Sequence, residues 1–382
     1  MAEKDLVANV SPHLHQRGQN IETAMRNVLI ALIPAFIVAI IVYGFQALYV
    51  ILVSMITAGL TEYVMCKILR RKVTLRDMSA MVTGLLFAFL LPPTTPLWVV
   101  AIGAFIAIAV AKQLFGGLGK NIFNPALFAR VVLMISPLWL YIAKYAQPFF
   151  WKQAGFFTPV VTSINNAVSG RVVYKNVFTN AIYTTKAGQV LTSATPLSLL
   201  KSGKALPAVV TGPTPVGATW LTNAGMPNFW SSFIGFRSGS LGELSILALV
   251  LGGCYLVYKR TIDWRIPVGI LGAFLVVMLI AWNHPLYQLM NGGIWLGALY
   301  MATDWTTSPL TKGGKWIYAV GIGLTIAFIR LWSPLPEGTA IAILEWNVLV
   351  LLIDRYVPVL RFGWTKRPLV NKLPFYAPTS EK

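Results

Sequence analysis

The chain has 382 residues, 56% of them hydrophobic and only 11% charged. Soluble domains carry about 25% charged residues, so this composition excludes a soluble globular enzyme and predicts an integral membrane protein. Lys and Arg number 31 against 12 Asp and Glu, a net charge of +19; the cations lie between apolar runs, which points to membrane topology rather than to nucleic acid.

Residues 1–26 are polar and show no short apolar core with a small-residue cleavage site, so the first span is expected to stay as an anchor. Apolar run lengths then predict ten spans, at 27–44, 46–68, 79–92, 96–114, 125–147, 243–258, 266–283, 286–303, 315–333 and 338–354. The expected organisation is all-α: a cytoplasmic N-terminus (1–26), a five-helix repeat (27–147), an extracytoplasmic loop (148–242), a second five-helix repeat (243–354) and a cytoplasmic tail (355–382). The third and eighth runs are short and contain Gly, and Pro and Thr follow each, as in Leu91-Pro92-Pro93-Thr94-Thr95-Pro96 and Asp304-Trp305-Thr306-Thr307-Ser308-Pro309. They read as half-spans, and their resemblance to each other reads as an internal repeat. Five spans per copy is an odd number, so the copies are expected to be inverted, an arrangement that places sites where half-helix ends meet.

Orientation follows from Lys and Arg. With the N-terminus inside, the inner segments hold Arg17 and Arg26, then Lys67, Arg70, Arg71, Lys72 and Arg76, then Lys112 and Lys120. Lys259, Arg260, Arg265, Lys312 and Lys315 follow, whereas the short outer loops hold only Arg330.

Few residues invite chemistry. Gly116-Gly117-Leu118-Gly119-Lys120-Asn121 resembles a phosphate loop only superficially, because Leu114 stands where the first Gly belongs and Asn121 follows the Lys. It reads as a glycine-rich break, with Asn124 as N-cap and Pro125 opening the fifth span. Either this is only a capped turn, or Asn121 and Asn124 bind a polar ligand there. Glu62 and Glu345 are the more interior carboxylates and are candidates for a cation path, with pairing to Arg130 an equal alternative. Asp77, Glu337 and Asp354 lie at span ends and suit surface or capping roles. The three histidines, His13, His15 and His284, have no ligand spacing, and Cys66 and Cys254 lack partners in sequence, so no metal site is expected. Thr192-Ser193-Ala194-Thr195-Pro196, in the only long polar segment, is by itself a turn signal.

Taken together, several stretches resemble one family. They are Ser11-Pro12-His13, Ser79 to Thr83, Leu91-Pro92-Pro93, Gly116 to Asn121 with Asn124-Pro125-Ala126, Ser193-Ala194-Thr195-Pro196, Met301 to Asp304 with Thr307-Ser308-Pro309, Glu337-Gly338, and Leu352-Ile353-Asp354-Arg355. Their order and spacing are similar to those of the flavin-carrying D subunits of Rnf-type ferredoxin:NAD oxidoreductases. These are relatives of the B subunits of Na⁺-translocating NADH:quinone oxidoreductases. The resemblance implies FMN esterified through its phosphate to Thr195 by a flavin transferase, with Ser193, Ala194 and Pro196 completing the motif. The related motif begins with Asp six residues before the Thr, where this chain has Gln189, and Thr192 is the reserve attachment point. The family also implies a urea-transporter-like fold, a second, non-covalent flavin such as riboflavin at the helix breaks, and other subunits as partners. Residence is expected in a bacterial or archaeal cytoplasmic membrane. Dinucleotide and iron–sulfur motifs are absent from the sequence, so those steps of ion-coupled electron transfer from ferredoxin to NAD are expected on other subunits. The rivals are the B subunit of the quinone-reducing complex and a flavin-free channel or transporter of the same fold.

Overall fold

A computed structural model describes residues 21–146 except 72, 143 and 144; the short stretches 160–162, 173–176, 182–184, 192–193 and 197; residues 233–235; and 238–357 except 282, 283, 334 and 336. The first half runs α1 (Ile21–Tyr43), α2 (Phe45–Ile68), α3 (Ser79–Phe89), α4 (Leu97–Phe105), which continues as π-helix over Ile106–Gln113, α5 (Pro125–Ile135) and the single turn α6 (Trp139–Ile142). The second half runs α7 (Ile246–Tyr258), α8 (Arg265–Ile280), α9 (Pro285–Met290), α10 (Ile294–Leu296), which continues as π-helix over Gly297–Met301, α11 (Lys312–Trp332) and α12 (Thr339–Tyr356).

Three of these helices, α1, α2 and α11, are long and apolar enough to cross a membrane; the others are shorter and apolar. Side-chain placement on α1 shows the solvent for which it is built. Ala31, Leu32, Ala35 and Ala39 are buried, while Ile33, Ile37 and Ile41 face outward. Small residues inside and large aliphatic residues outside reverse the soluble pattern and suit lipid, where helices associate through close packing. Gly252 of α7 shows how close that packing is, because a Cβ there would lie 1.9 Å from the carbonyl oxygen of Ala31. Gly323 of α11 plays the same part against α8, 2.5 Å from the Ile270 carbonyl. The halves meet along α1 with α7 and along α5 with α12.

Two short helices stop inside the bundle, as the half-span reading expected. α3 ends at Phe89, and its last carbonyls are not orphaned: Gly242 N–H donates to Phe89 O at 2.8 Å, and Leu241 N–H donates to Leu91 O at 3.0 Å. A helix end buried away from water requires such partners. The two half-helices also begin at opposite ends of the bundle. Asp77 caps α3 by accepting from the Ser79 amide at 2.9 Å and the Ser79 hydroxyl at 2.6 Å. Glu337 accepts from the Gly293 amide at the start of α10. Asp354 takes the Leu310 amide at 3.1 Å. We call the end around 69–78 and 259–264 the lower end, and that around 136–146 and 333–338 the upper end.

Two spans and the strand content differ from expectation. The fifth span, expected to run to 147, stops at Ile135, with Ser136 extended and followed by Pro137, which cannot continue the helix. The eighth is split between α9 and α10 by Asn291, Gly292 and Gly293, with Gly292 at φ +83°. An all-α chain was expected, yet the described residues between α6 and α7 include five short strands: β1 (Tyr145–Ala146), β2 (Val160–Thr162), β3 (Val173–Asn176), β4 (Ile182–Thr184) and β5 (Thr192–Ser193). β2, β3 and β4 form an antiparallel sheet in that order, and β1 pairs antiparallel with β5.

Candidate functional site

At the lower end the two helix breaks meet around a cavity of about 80 Å³. Its wall includes Ser79 and Thr83 of α3, Lys112, Asn121, Asn124, Thr303 and Asp304, with Met25, Val28 and Leu86 on the apolar side. The glycine run makes the first break possible, because Gly116, Gly117 and Gly119 adopt φ of +120°, +93° and +91°, conformations that side-chain-bearing residues rarely take. Asn124 is the N-cap of α5, its Oδ1 accepting from the amides of Ala126 (3.1 Å) and Leu127 (3.4 Å). Its Nδ2 crosses to the other half and donates to Met301 O at 3.2 Å. Asn121 makes a second cross-link, donating to Thr306 Oγ1 at 3.1 Å and to Phe123 O at 3.1 Å. Thr306 in turn donates to Asp304 Oδ2 at 2.9 Å. Asn121 Oδ1 is buried and has no hydrogen-bond partner, although a buried amide oxygen normally has one. Asn121 and Asn124 therefore stand together at one site, and one of them keeps an open acceptor.

Beside this cavity lies a buried ion pair. Lys112 Nζ is 2.8 Å from Glu62 Oε2, and the two side chains are 2% and 0% exposed. Both members have a further partner: Thr74 Oγ1 donates to Glu62 Oε1 at 2.5 Å, and Lys112 also donates to Ser79 Oγ at 2.6 Å. Glu62 was expected on a cation path or paired with Arg130; its partner is Lys112, whose place in the sequence marked it only as a topological cation. Lys112 lies 50 residues from Glu62, and no local pattern links them. Glu345 is on the exposed face of α12, so the structure does not bring the two candidate path residues together.

A second group of charges lies at the upper end. Arg130 of α5 is 8% exposed, and its guanidinium carbon sits 4.5 Å from the centroid of the Trp139 ring. It also hydrogen-bonds the Tyr145 side chain, which senses Glu243 and Glu337. Arg330, 3% exposed, donates to the carbonyls of Gln288 and Asn291. The 192–197 segment reaches this group at two described points. In the β1–β5 pairing Ser193 is opposite Tyr145 and Thr192 opposite Ala146. Leu197 is buried, and a Cβ at Gly292 would lie 3.4 Å from its Cδ2, 2.6 Å from Arg330 Nη2 and 2.9 Å from Glu337 Oε1. Ala194, Thr195 and Pro196, with Gln189, lie outside the described residues. The sequence offered no sign of these anchors except the apolar Leu197 immediately after the Pro.

The NQR2, RnfD, RnfE family pattern matches residues 7–363. The chain is 36% identical to the D subunit of the Na(+)-translocating ferredoxin:NAD(+) oxidoreductase complex of Acetobacterium woodii, over 96% of this chain and 98% of that protein. It is 35% identical to the D subunit of the proton-translocating ferredoxin:NAD(+) oxidoreductase complex of Clostridium ljungdahlii, over 95% of this chain and 99% of that one. The D subunit of the ion-translocating oxidoreductase complex of Aliivibrio salmonicida is 34% identical, with 93% and 98% covered. A match over nearly the whole length, breaks and polar segment included, shows that the chain belongs to the NQR2, RnfD, RnfE family.

Proposed function

We propose that this chain is the D subunit of an ion-translocating ferredoxin:NAD oxidoreductase complex, a membrane electron carrier with FMN esterified to Thr195. The observation that carries the reading is the full-length similarity to D subunits whose names state that activity. The anchoring of the motif supports it, because Ser193 is paired to β1 and Leu197 is seated at Gly292. An FMN tethered there supplies one- and two-electron carriage. This chain's part is to hold the tether, which keeps the carrier at high effective concentration near its partner subunits. The relatives' names divide between Na⁺ and protons, and the ion proposed here is one of those two.

The topology belongs to the same proposal: ten spans in two inverted five-helix repeats, both termini cytoplasmic and the 148–242 segment outside. It is supported by α3 and α10, half-helices capped by Asp77 and Glu337 from opposite ends. A flavin transferase acting outside would then reach Thr195. A non-covalent riboflavin at the helix breaks belongs to the same proposal, although a cavity of about 80 Å³ accommodates only an edge of its ring system. The donors and acceptors of Ser79, Thr83, Lys112, Asn121 and Thr303 suit the polar edge of a flavin ring, and the open Oδ1 of Asn121 suits a ring N–H.

In-gel fluorescence of the denatured chain and mass spectrometry of the 192–197 peptide test the covalent flavin. Expected are a flavin mass on Thr195, complete loss in Thr195→Val, and retention in Thr192→Val. A flavin on Thr192 reassigns the site. A bare wild-type peptide from cells that contain the transferase sinks the redox reading and favours the transporter rival.

A further inference from the structure

The charged side chains that the structure describes within the ten expected spans fall into two groups, with one exception. Glu62, Lys112, Arg130, Glu243 and Arg330 are buried in the bundle, while Lys67, Lys315 and Asp354 stand at span ends. Glu345 belongs to neither group, because it is exposed and lies well inside the 338–354 span. It follows Thr339, the first residue of α12, by six positions, about 9 Å along the axis. Tyr356, the last residue of α12, is about 16 Å away in the other direction. Its Cβ tilts toward the upper end, but a glutamate side chain is too short to bring the carboxylate back over that distance. The inward face of α12 is formed by Ala342, Ile343, Asn347, Val350 and Ile353. Glu345 lies on the opposite face, in line at helical spacing with Ile341, Val348 and Leu352. Among the described residues it forms no ion pair.

An aliphatic stripe is at home in lipid, but a carboxylate set into it is expensive unless something answers the charge. The position of Glu345 indicates what does so. A phospholipid headgroup lies at the membrane surface, away from the level of this residue. A second copy of the chain, inserted in the same direction and related by a two-fold axis along the membrane normal, would bring its own Glu345 to the same depth, carboxylate against carboxylate. The relatives, by contrast, are subunits of complexes, and helices of other chains can carry a cation at any depth. We infer that the face formed by Ile341, Glu345, Val348 and Leu352 is the docking surface for a transmembrane helix of another subunit, which presents a Lys or Arg to Glu345. The aliphatic residues supply close packing between the helices, and the charge pair fixes their relative height. The inference rests on the proposal that α12 spans the membrane as part of a complex, and adds a contact to it.

The test uses the whole complex, with a benzophenone amino acid in place of Val348, beside the charge. After irradiation, mass spectrometry should find the cross-link on a transmembrane segment of another subunit that carries Lys or Arg. Glu345→Lys should then lower the amount of that subunit retained on affinity purification through this chain about tenfold or more, and Glu345→Gln should lower it less. Exchanging the cross-linked cation for Glu in the Glu345→Lys background should restore retention, which a misfolded chain would not allow. Cross-links confined to phospholipid or to a second copy of this chain overturn the inference. So does wild-type retention in Glu345→Lys. A complex that stays whole in that variant and loses only ion transport makes Glu345 part of a path, and overturns it equally. Labelling of Val348→Cys by a membrane-impermeant maleimide in sealed vesicles would mean that α12 does not span the membrane, and the topological proposal would fall together with this inference. A protected Cys with unchanged subunit retention defeats this inference alone.

Discussion

At the lower end of the bundle, Glu62 and Lys112 are paired, and Thr74 and Ser79 add a hydrogen bond to each of them. At the upper end Arg130 is nearly as deeply buried, yet it leaves Nη1 open and leans on an aromatic ring and a phenol. Burial is the same problem in both places, because a charge removed from water costs several kcal/mol unless something answers it. A closed pair answers it within the fold and so belongs to the frame. Arg130 shows no such closure among the described residues. Depth of burial therefore does not by itself distinguish the two charges.

The comparison breaks most visibly if the closed pair is opened. Lys112→Met strands a buried carboxylate and should cost about 3–5 kcal/mol of stability, read as a lowered denaturation midpoint in detergent. Combining it with Glu62→Gln should restore most of that loss, because no charge is then left unanswered. Arg130→Gln should cost far less, since it removes a charge that has no ionic partner in the described structure. A loss for Arg130→Gln as large as that for Lys112→Met would erase the distinction between the two ends.

The same contrast recurs on a smaller scale between the two asparagines of the break. Asn124 uses both ends of its amide, as cap and as cross-link to Met301. Asn124→Ala should cost about 1–2 kcal/mol, with or without any ligand in the cavity. Asn121 leaves Oδ1 open, so Asn121→Ala should show itself chiefly in the proposed non-covalent flavin. The riboflavin released on denaturation, per mole of chain, should fall several-fold. Equal riboflavin content in wild type and Asn121→Ala would remove this residue from the cofactor site.

What could be read in the sequence was whatever is local. Asn124 before Pro125 announced the cap it makes, the short Gly-bearing runs at 79–92 and 286–303 correspond to short helices, and span-end position suggested surface or capping roles for Asp77 and Glu337, which accept helix-start amides. Ser136-Pro137 carried the signal that ends α5, and run length alone overrode it. What could not be read is whatever is made between distant segments. Glu62 meets Lys112 across 50 residues, and β1 meets β5 across nearly as many. Glu345 has the same composition of neighbours as a buried carboxylate, and only the packing of α12 turns it outward. Periodicity reports which face of an element is apolar; it does not report which charge the opposite element will bring.

The smallest expected effect belongs to a pair that is neither sealed nor open. Asp263, in the turn between α7 and α8, lies 3.0 Å from Lys315 Nζ and 3.1 Å from Arg265 Nη1, with about a fifth of each of these side chains exposed. Partial burial works to raise its carboxyl, but the hydrogen bonds from Lys315 and the Arg265 amide, with their charges, hold it below the ordinary carboxylate range. A carboxylate lowered in the folded state stabilises above its unfolded value, near pH 4, and loses that contribution as pH falls through its folded value. Water screens a partly exposed triad, so Asp263→Asn should cost less than about 1 kcal/mol at pH 7. The gap between variant and wild type should be constant from pH 7 to about 5 and should close below about pH 4. It should also narrow as salt is raised, because exposed charges are screened over roughly 10 Å at 0.1 M. Melting curves in detergent at pH 7, 5 and 3.5 would show this. A gap that widens on acidification would mean that the turn is held by something other than this charge, and that the gradation from sealed to screened pairs does not describe the lower end.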